Sequence, residues 1–422
     1  MKKNRSLYGI KSLTVVLVIL LTLLPARAAT YNAQNIALTP GKNISELNLS
    51  WYSTAKTSSL VQIAPKASML SGSDFPVNSS ISFYSQSANA ASGFYSNKTT
   101  ATALSPSSEY VYRIGDGKGN WTSNYFYTVG SHTQFGFLAF GDPQLGAGRL
   151  TEDTAGWNNT IATATAQFPN ASFIMTAGDE VNTNNSEAQY NGFFSPPKLT
   201  SLPVAPALGN HDNGASNYSY HFNLPNLSGS YGITSPGSAD YYYTYGNTLF
   251  MVLNTNNSNG STHEAFVKKA VEASPGVTWK IVMFHQDIYG SGSHALESSI
   301  INLRNALYPI FDNYGVDIVI TGHDHSYTRT HVMRGNVPQT TQTYNANGAL
   351  IAPSGTVYFT LNSASGSKYY EINNPPASYV AVSSQLEVPT FSYVGINGSS
   401  LSFDTYRTDT MAKVDSLSIV KN

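Results

Sequence analysis

The feature that most constrains the fold of this chain is a series of short apolar runs that each end in Asp, Asn or His. The predicted strands cover residues 135–140, 173–177, 204–208, 281–284 and 317–321, and predicted helices at 155–167, 262–273 and 298–314 lie between or beside them. Near-continuous apolar strands that alternate with helices are typical of sheets buried beneath helices. The sequence therefore predicts an α/β domain from about residue 133 to residue 422.

The preceding hundred residues have a different pattern. Leu47, Leu49 and Trp51 alternate with polar neighbours, and Asp116-Gly117 is one of several turn signals between short runs of this kind. Alternation with a period of two and frequent turns predict short antiparallel strands. We therefore predict an all-β N-terminal sandwich of the immunoglobulin or fibronectin type over residues 29–132. A chain of 422 residues is long enough for two such domains.

The first 28 residues have the three parts of a secretory signal peptide. Basic residues come first, an apolar run covers residues 13–24, and Ala26-Arg27-Ala28 provides a small-x-small cleavage pattern. The apolar run is too short to span a bilayer comfortably, so an uncleaved anchor is the less favoured alternative. We expect cleavage after Ala28 and a secreted, extracellular protein with no transmembrane segment in the mature chain.

Composition excludes several classes of site. The chain has no cysteine, which excludes disulfide scaffolds, thiolate zinc sites and cysteine nucleophiles. Its formal net charge of −1 argues against a basic nucleic-acid-binding surface of the usual kind. The oligomeric state is open.

The polar residues at the strand ends are the candidate functional site. Loops at the carboxyl ends of strands converge in α/β sheets, so these side chains are expected to meet. Oxygen and imidazole donors without thiolate suit zinc, manganese or iron. One Asp at a strand end is usually a turn residue and a lone His is usually structural, but a donor at each of five strand ends favours a metal site. The candidate ligands are Asp142, Asp179, Asn210, His285, His323 and His325.

The order Gly-Asp, Gly-Asp, Gly-Asn-His-Asp, His and Gly-His-x-His resembles the calcineurin-like metallophosphoesterase superfamily. The sandwich resembles the fibronectin type III-like N-terminal domain of purple acid phosphatases. This resemblance implies a four-layer βαβαβ-type α/β domain with two metal ions. By resemblance, Asp142 and His325 bind the first metal, Asp179 bridges both, and Asn210, His285 and His323 bind the second.

The resemblance also implies catalytic residues. His211 corresponds to a histidine that contacts phosphate and can protonate the leaving group, and Asp212 is placed to orient it. His294, nine residues after His285, matches a further phosphate-contacting histidine; its alternative is a surface loop residue.

Four neighbours of the site receive plainer interpretations. Glu180 and Asp287 adjoin candidate ligands and are expected to point to solvent. Trp157 and Tyr289 are possible aromatic linings of a pocket.

Two departures from the family pattern concern the first metal. Purple acid phosphatases have a Tyr ligand three positions after the bridging Asp, where this chain has Asn182, so a ferric–tyrosinate centre is not expected. Other superfamily members have His at the position of Gln144. An amide oxygen from Gln144 or Asn182 could bind the metal or a water molecule. We expect two divalent ions: Zn, Mn or Fe.

The leading interpretation is a secreted phosphatase that hydrolyses phosphomonoesters by attack of a metal-activated hydroxide. The same site could instead cleave diesters or nucleotides. A different class of function, a non-catalytic secreted binding protein, is the remaining alternative. The intact donor set argues against that last interpretation.

Overall fold

The computed structural model describes residues 30–70, 74–227 and 240–421. The predicted signal peptide lies outside these residues. Within them, no helix has both the length and the apolar character needed to cross a membrane.

The N-terminal part is a β-sandwich, as predicted. Sheet order is β1-β2-β6-β5 in one layer and β4-β3-β7-β8 in the other. Trp51, which is 1% exposed, packs in the core between them, so its alternation in the sequence reflects burial. The strands are β1 (Gln34–Pro40), β2 (Leu47–Ser53), β3 (Leu60–Pro65), β4 (Ile81–Tyr84), β5 (Gln86–Asn89), β6 (Tyr95–Ala101), β7 (Glu109–Gly115) and β8 (Tyr125–Thr128).

The remaining described residues alternate strands with helices and then finish in strands. The strands are β9 (Gln134–Phe140), β10 (Ile174–Thr176), β11 (Val204–Pro206), β12 (Tyr241–Tyr245), β13 (Thr248–Val252), β14 (Trp279–Met283), β15 (Ile318–Thr321), β16 (Tyr327–Thr330), β17 (Val332–Arg334), β18 (Val337–Gln339), β19 (Leu350–Ile351), β20 (Val357–Thr360), β21 (Val380–Ser384), β22 (Thr390–Asn397), β23 (Ser400–Arg407) and β24 (Lys413–Val420). The helices are α1 (Leu150–Gln167), α2 (Glu187–Phe193), α3 (Asn217–His221), α4 (Gly260–Glu272) and α5 (Ser298–Tyr314).

Helix α1 begins five residues before its predicted start. Its first turn carries Glu152 and Asp153 and therefore lacks the apolar periodicity on which the prediction relied. Acidic side chains at a helix N-terminus are favoured by the helix dipole.

Two seven-stranded mixed sheets form the core of this second domain. Their orders are β11-β10-β9-β22-β23-β24-β19 and β12-β13-β14-β15-β20-β16-β21. Rings from the two sheets meet face to edge or face to face: Phe137 lies 5.4 Å from Phe250, and Phe359 lies 3.7 Å from Phe403. Buried residues of α4 and α5 pack on the second sheet, and Trp157 of α1 packs on the first. The predicted α/β architecture is confirmed.

Side chains of the sandwich form hydrogen bonds with a segment that follows the loop of Asn210 and His211. Five consecutive backbone carbonyls, at positions 219–223, accept hydrogen bonds from sandwich side chains. The donors are Lys98 to residues 219 and 222, Ser96 to 220, Ser50 to 221, and Thr39 and Asn48 to 223. Buried carbonyls need such partners. The sandwich thus fixes residues 219–223, which follow the loop that contains Asn210 and His211 in the chain.

Candidate metal centre

The six predicted ligands converge where the carboxyl ends of strands from the two large sheets meet. Asp142, Asp179 and Asn210 follow β9, β10 and β11 of the first sheet. His285 and His323 follow β14 and β15 of the second sheet, and His325 lies two residues further on. Because β9–β11 run parallel, as do β14 and β15, the ends within each sheet point the same way.

His285 is at the middle of this cluster. Its Nε2 lies 2.8 Å from Asn210 Oδ1, 3.0 Å from His323 Nδ1 and 3.3 Å from Asp179 Oδ2. On the other side, His325 Nε2 lies 3.0 Å from Asp142 Oδ2. Ligand atoms of Asp142, Asp179 and His285 all lie within 4.8 Å of one another, and all three residues are buried. This geometry is compatible with a bound metal ion.

Hydrogen bonds on the outer side orient two of the imidazoles. His285 Nδ1 donates to the carbonyl of Ala177, and His325 Nδ1 donates to that of Lys368, each at 2.9 Å. A proton on Nδ1 leaves the lone pair of the neutral ring on Nε2, which in both cases faces the cluster. Carbonyl partners of this kind are the usual support for histidine ligands, so the donor set fits metal ions.

The cluster also favours positive charge. Burial alone would lower the pKa of His285, but Asp179 and Asp142 outweigh burial and raise that pKa to about 10. Burial together with His285 and His294 lowers the pKa of His323 to about 2. One charged imidazole is thus favoured beside the carboxylates, while its neighbour stays neutral. A metal cation would satisfy the same carboxylates.

Close backbone approach explains two glycines of the motifs. A Cβ on Gly209 would lie 1.9 Å from Asp179 Oδ1, and a Cβ on Gly322 would lie 2.0 Å from Asp142 Oδ1. Asp179 itself has φ +51° and His323 has φ +72°. Non-glycine residues in this left-handed region are strained, and strain of this kind concentrates at functional sites.

Asp212 differs from its predicted role. Its carboxylate accepts backbone N–H groups of Glu180, Val181 and Gly209 and makes no hydrogen bond to the His211 imidazole. It therefore ties the turn that carries Asp179 to the turn that carries Asn210. The imidazole of His211 is held instead by the carbonyl of Asn182, 2.9 Å from Nδ1. Backbone donors from Gly209 and from the distant turn at Glu180 and Val181 use both carboxylate oxygens, so neither oxygen turns to the His211 ring.

Glu180 also departs from its prediction, because it is fully buried. Thr176 Oγ1 donates to one carboxyl oxygen at 2.7 Å. Burial, followed by the charge of Asp212, raises the pKa of Glu180 well above its usual range. Glu180 is thus favoured in its neutral, protonated form beside Asp212, whose carboxylate connects the two turns.

The two residues that depart from the family pattern contact each other. Gln144 Nε2 donates to Asn182 Oδ1 at 3.3 Å. Gln144 is 1% exposed, and its Oε1 has no hydrogen-bond partner among the described groups. A buried acceptor without a donor is costly. This amide oxygen is therefore available to a metal ion or a metal-bound water.

His294 lies at the cluster, with a carboxylate behind it. Its ring centroid is 4.4 Å from that of His323, and its Nδ1 lies 2.7 Å from Asp324 Oδ1. Oδ2 of Asp324 and both carboxyl oxygens of Asp287 are buried, and none of them has a hydrogen-bond donor among the described residues. Burial followed by contact with Asp324 raises the pKa of Asp287 well above its usual range. A proton on Asp287 therefore completes the Asp287–Asp324–His294 chain, and the prediction that Asp287 faces solvent was wrong.

The aromatic residues near the centre are not those that the sequence suggested. Trp157 and Tyr289 are both buried in hydrophobic clusters. Tyr370 is the aromatic neighbour instead, with its centroid 4.9 Å from His294 and 5.4 Å from His325. No local motif marks it, because it lies in an irregular segment far along the chain from both histidines.

Comparison with known proteins agrees with this fold. The family described as Calcineurin-like phosphoesterase matches residues 135–327, and the family described as Purple acid Phosphatase, N-terminal domain matches residues 33–129. The purple acid phosphatase PPD1 from yellow lupin (Lupinus luteus) seeds has a similar fold, with a TM-score of 0.75 and 18% identity. The match covers 94% of this chain and 75% of that chain.

Curated relatives are also distant in sequence. Acid phosphatase type 7 of Homo sapiens is 26% identical over 56% of this chain and 57% of its own length. An uncharacterised protein of Mycobacterium tuberculosis is 24% identical over 64% and 58%. Probable inactive purple acid phosphatase 27 of Arabidopsis thaliana is 23% identical over 62% and 48%. The chain thus spans a little over half the length of the first of these relatives. Residues 135–327 are thus a calcineurin-like phosphoesterase domain, and residues 33–129, ahead of it, are the N-terminal domain of the purple acid phosphatases.

Proposed function

We propose that this protein is an exported phosphatase that hydrolyses phosphomonoesters at a dinuclear metal centre. The observation that carries this proposal is the convergence of six oxygen and imidazole donors at the facing edges of two sheets. Export is supported by the signal-peptide pattern at residues 1–28, with cleavage after Ala28. The proposal keeps the domain boundary near residue 132.

In this proposal the donors divide between two cations. Asp142 and His325 would hold the first, with an amide oxygen of Gln144 in reach, and Asp179 would bridge to the second. Asn210, His285 and His323 would hold the second. When bound, two divalent cations such as Zn, Mn or Fe lower the pKa of a water molecule, so that hydroxide is available near neutral pH.

The chain's own residues supply the proton that the departing alkoxide needs. Nδ1 of His294 contacts the buried carboxylate of Asp324, which orients the ring. His211 is backed by a neutral carbonyl, which holds its orientation but adds no charge. In both rings Nδ1 has a hydrogen-bond partner within the protein, whereas Nε2 has none among the described residues. We assign proton donation to His294 or His211 and phosphate contact to the other ring.

Two alternatives use the same observations differently. A dinuclear centre also cleaves diesters and nucleotides, because the same two-metal chemistry serves both. A non-catalytic binding protein is the second alternative, since some relatives are described as probable inactive phosphatases. The complete donor set favours an active enzyme.

A substrate test after metal loading separates these functions. The protein is reconstituted with Zn, Mn or Fe, and metal content is measured together with turnover of nitrophenyl phosphate and bis-nitrophenyl phosphate. We expect close to two metal ions per chain and faster turnover of the monoester. Faster turnover of the diester would favour the diesterase. Absence of metal and of turnover on both esters would leave only the binding protein.

A further inference from the structure

We propose that Lys368 and Tyr370 form a second anion subsite beside the metal centre, which selects phosphate esters that carry an additional anionic group. This inference rests on the proposed function, because it requires the phosphate itself to bind at the metal centre. The subsite lies in the segment between β20 and β21.

The first observation is that hydrogen bonds connect this segment to His325, a predicted ligand of the metal centre. The carbonyl of Lys368 accepts the Nδ1 proton of His325 at 2.9 Å. Gln385 Nε2 donates to the carbonyls of both His325 and Tyr370, at 2.7 Å each. The backbone of Lys368 and Tyr370 is therefore held in a set position relative to a predicted metal ligand.

The second observation is the position of the Tyr370 ring. It makes edge-to-face contacts with two histidines of the site, with interplanar angles of 80° to both His294 and His325. The ring therefore lies at the margin of the centre, next to His294, one of the two histidines that we assign to proton donation or phosphate contact. Tyr370 is half-buried, so part of its surface remains accessible to a substrate.

The third observation is the unneutralised charge of Lys368. Its ammonium lies 4.4 Å from the Tyr370 ring centroid, within the range of a cation–π contact. Among the described residues no carboxylate forms an ion pair with Lys368, whereas Lys413 and Lys421 pair with Asp404 and Asp317. The aromatic face positions the cation and leaves its charge free for a ligand.

These contacts define a ligand class. A phosphate ester bound at the centre extends its organic part away from the metals, and a fixed cation at the margin attracts a carboxylate or second phosphate there. A partly exposed charge-assisted contact is worth about 1 kcal/mol, which corresponds to about a fivefold gain in affinity. Substrates with a single anionic group receive no such gain.

Matched phosphonates test the subsite without turnover. Metal-loaded protein is titrated calorimetrically with propylphosphonate and 3-phosphonopropanoate, which differ by a terminal carboxylate, and with the five-carbon pair of the same design. We expect the carboxylate-bearing member of at least one pair to bind about fivefold tighter. Lys368→Met should remove this preference, and Tyr370→Leu should reduce it. Tyr370→Phe, which keeps the ring, should retain it. The control is Lys268→Met, at an exposed lysine of α4, which should keep the preference.

Several results would overturn the subsite. They are equal binding within both pairs by the wild-type protein, no binding of any phosphonate, or an undiminished preference in Lys368→Met. Turnover of nitrophenyl phosphate on the same preparation tests the phosphatase separately. Turnover without a carboxylate preference refutes the subsite alone. A preference abolished by Lys368→Met in a protein without turnover refutes the phosphatase and keeps the anion subsite.

Discussion

Histidine contacts a carboxylate in two different settings in this protein. At the strand ends, His285, His325 and His294 lie against Asp179, Asp142 and Asp324. In the helices, His221 of α3 lies 3.0 Å from Glu187, and His263 of α4 lies 2.8 Å from Asp240. Both kinds of pair are at least partly buried, so neither burial nor pairing distinguishes a candidate ligand from a structural residue.

His263 and His285 differ in how the ring nitrogens are used. His263 uses both nitrogens within the protein, because Nδ1 contacts Asp240 and Nε2 contacts the carbonyl of Asn257 at 2.9 Å. His285 has a single carbonyl partner, at Nδ1, and its Nε2 faces Asn210, Asp179 and His323, which all present acceptor atoms. A set of acceptors that face one another needs a cation. We therefore expect variants in the two settings to fail in different ways.

The largest effect is expected from Asp179→Asn. The carboxylate that we propose as the bridge between two metals becomes a neutral amide, so metal content should fall and kcat on nitrophenyl phosphate should drop by about 10³-fold or more. Metal analysis and steady-state kinetics measure both quantities. The matched control is Asp240→Asn in the structural pair, which should keep its metal. Full metal content and activity in Asp179→Asn would remove the distinction between the two settings.

A smaller effect is expected from His211→Ala. Loss of a general acid costs about 10²- to 10³-fold when the leaving group needs a proton. Turnover should therefore fall much further on glycerol phosphate than on nitrophenyl phosphate, whose leaving group barely needs protonation. Equal losses on both esters would mean that His211 positions phosphate and that His294 is the acid.

Asp324→Asn tests the carboxylate behind His294. An amide at this position can donate to Nδ1 and select the wrong tautomer, and loss of such an outer partner typically costs about 10- to 100-fold. We expect that loss in kcat on alkyl phosphates, with the unfolding transition little changed. A loss of stability without a change in kcat would make Asp324 a structural residue like Asp240.

The smallest effect is expected from His263→Asn, which keeps a donor to Asp240 but loses the contact with Asn257. The free energy of unfolding should fall by about 1–2 kcal/mol. Burial lowers the pKa of His263, but Asp240 outweighs burial and raises it above its usual value. The charged pair therefore stabilises the folded protein fully below pH about 6.5 and less as pH rises through the raised pKa. Urea titrations across this range should show the difference between wild type and variant shrinking with rising pH. A difference that grows with pH would contradict the assignment.

Local patterns were enough for the strands and for the candidate ligands. Asp142, Asp179 and His285 each follow an apolar run whose end is visible in the sequence, and the chemistry of their side chains is independent of the fold. The same reasoning went wrong for Glu180 and Asp287. Being next to a ligand suggested solvent exposure, but both are buried because the loops on either side pack against each other. Nothing in the neighbouring residues records that packing.

The amino-acid sequence alone shows which donors this protein has, that they follow strands, and that thiolate chemistry is excluded. The tertiary structure brings the carboxyl ends of strands from two separate sheets together. This arrangement depends on contacts between distant segments, such as that of Phe137 with Phe250. The tertiary structure also decided that Asp212 ties two turns together and that the carbonyl of Lys368 contacts His325. Strand identity follows from local periodicity, whereas the partner of a side chain is set by how distant elements pack.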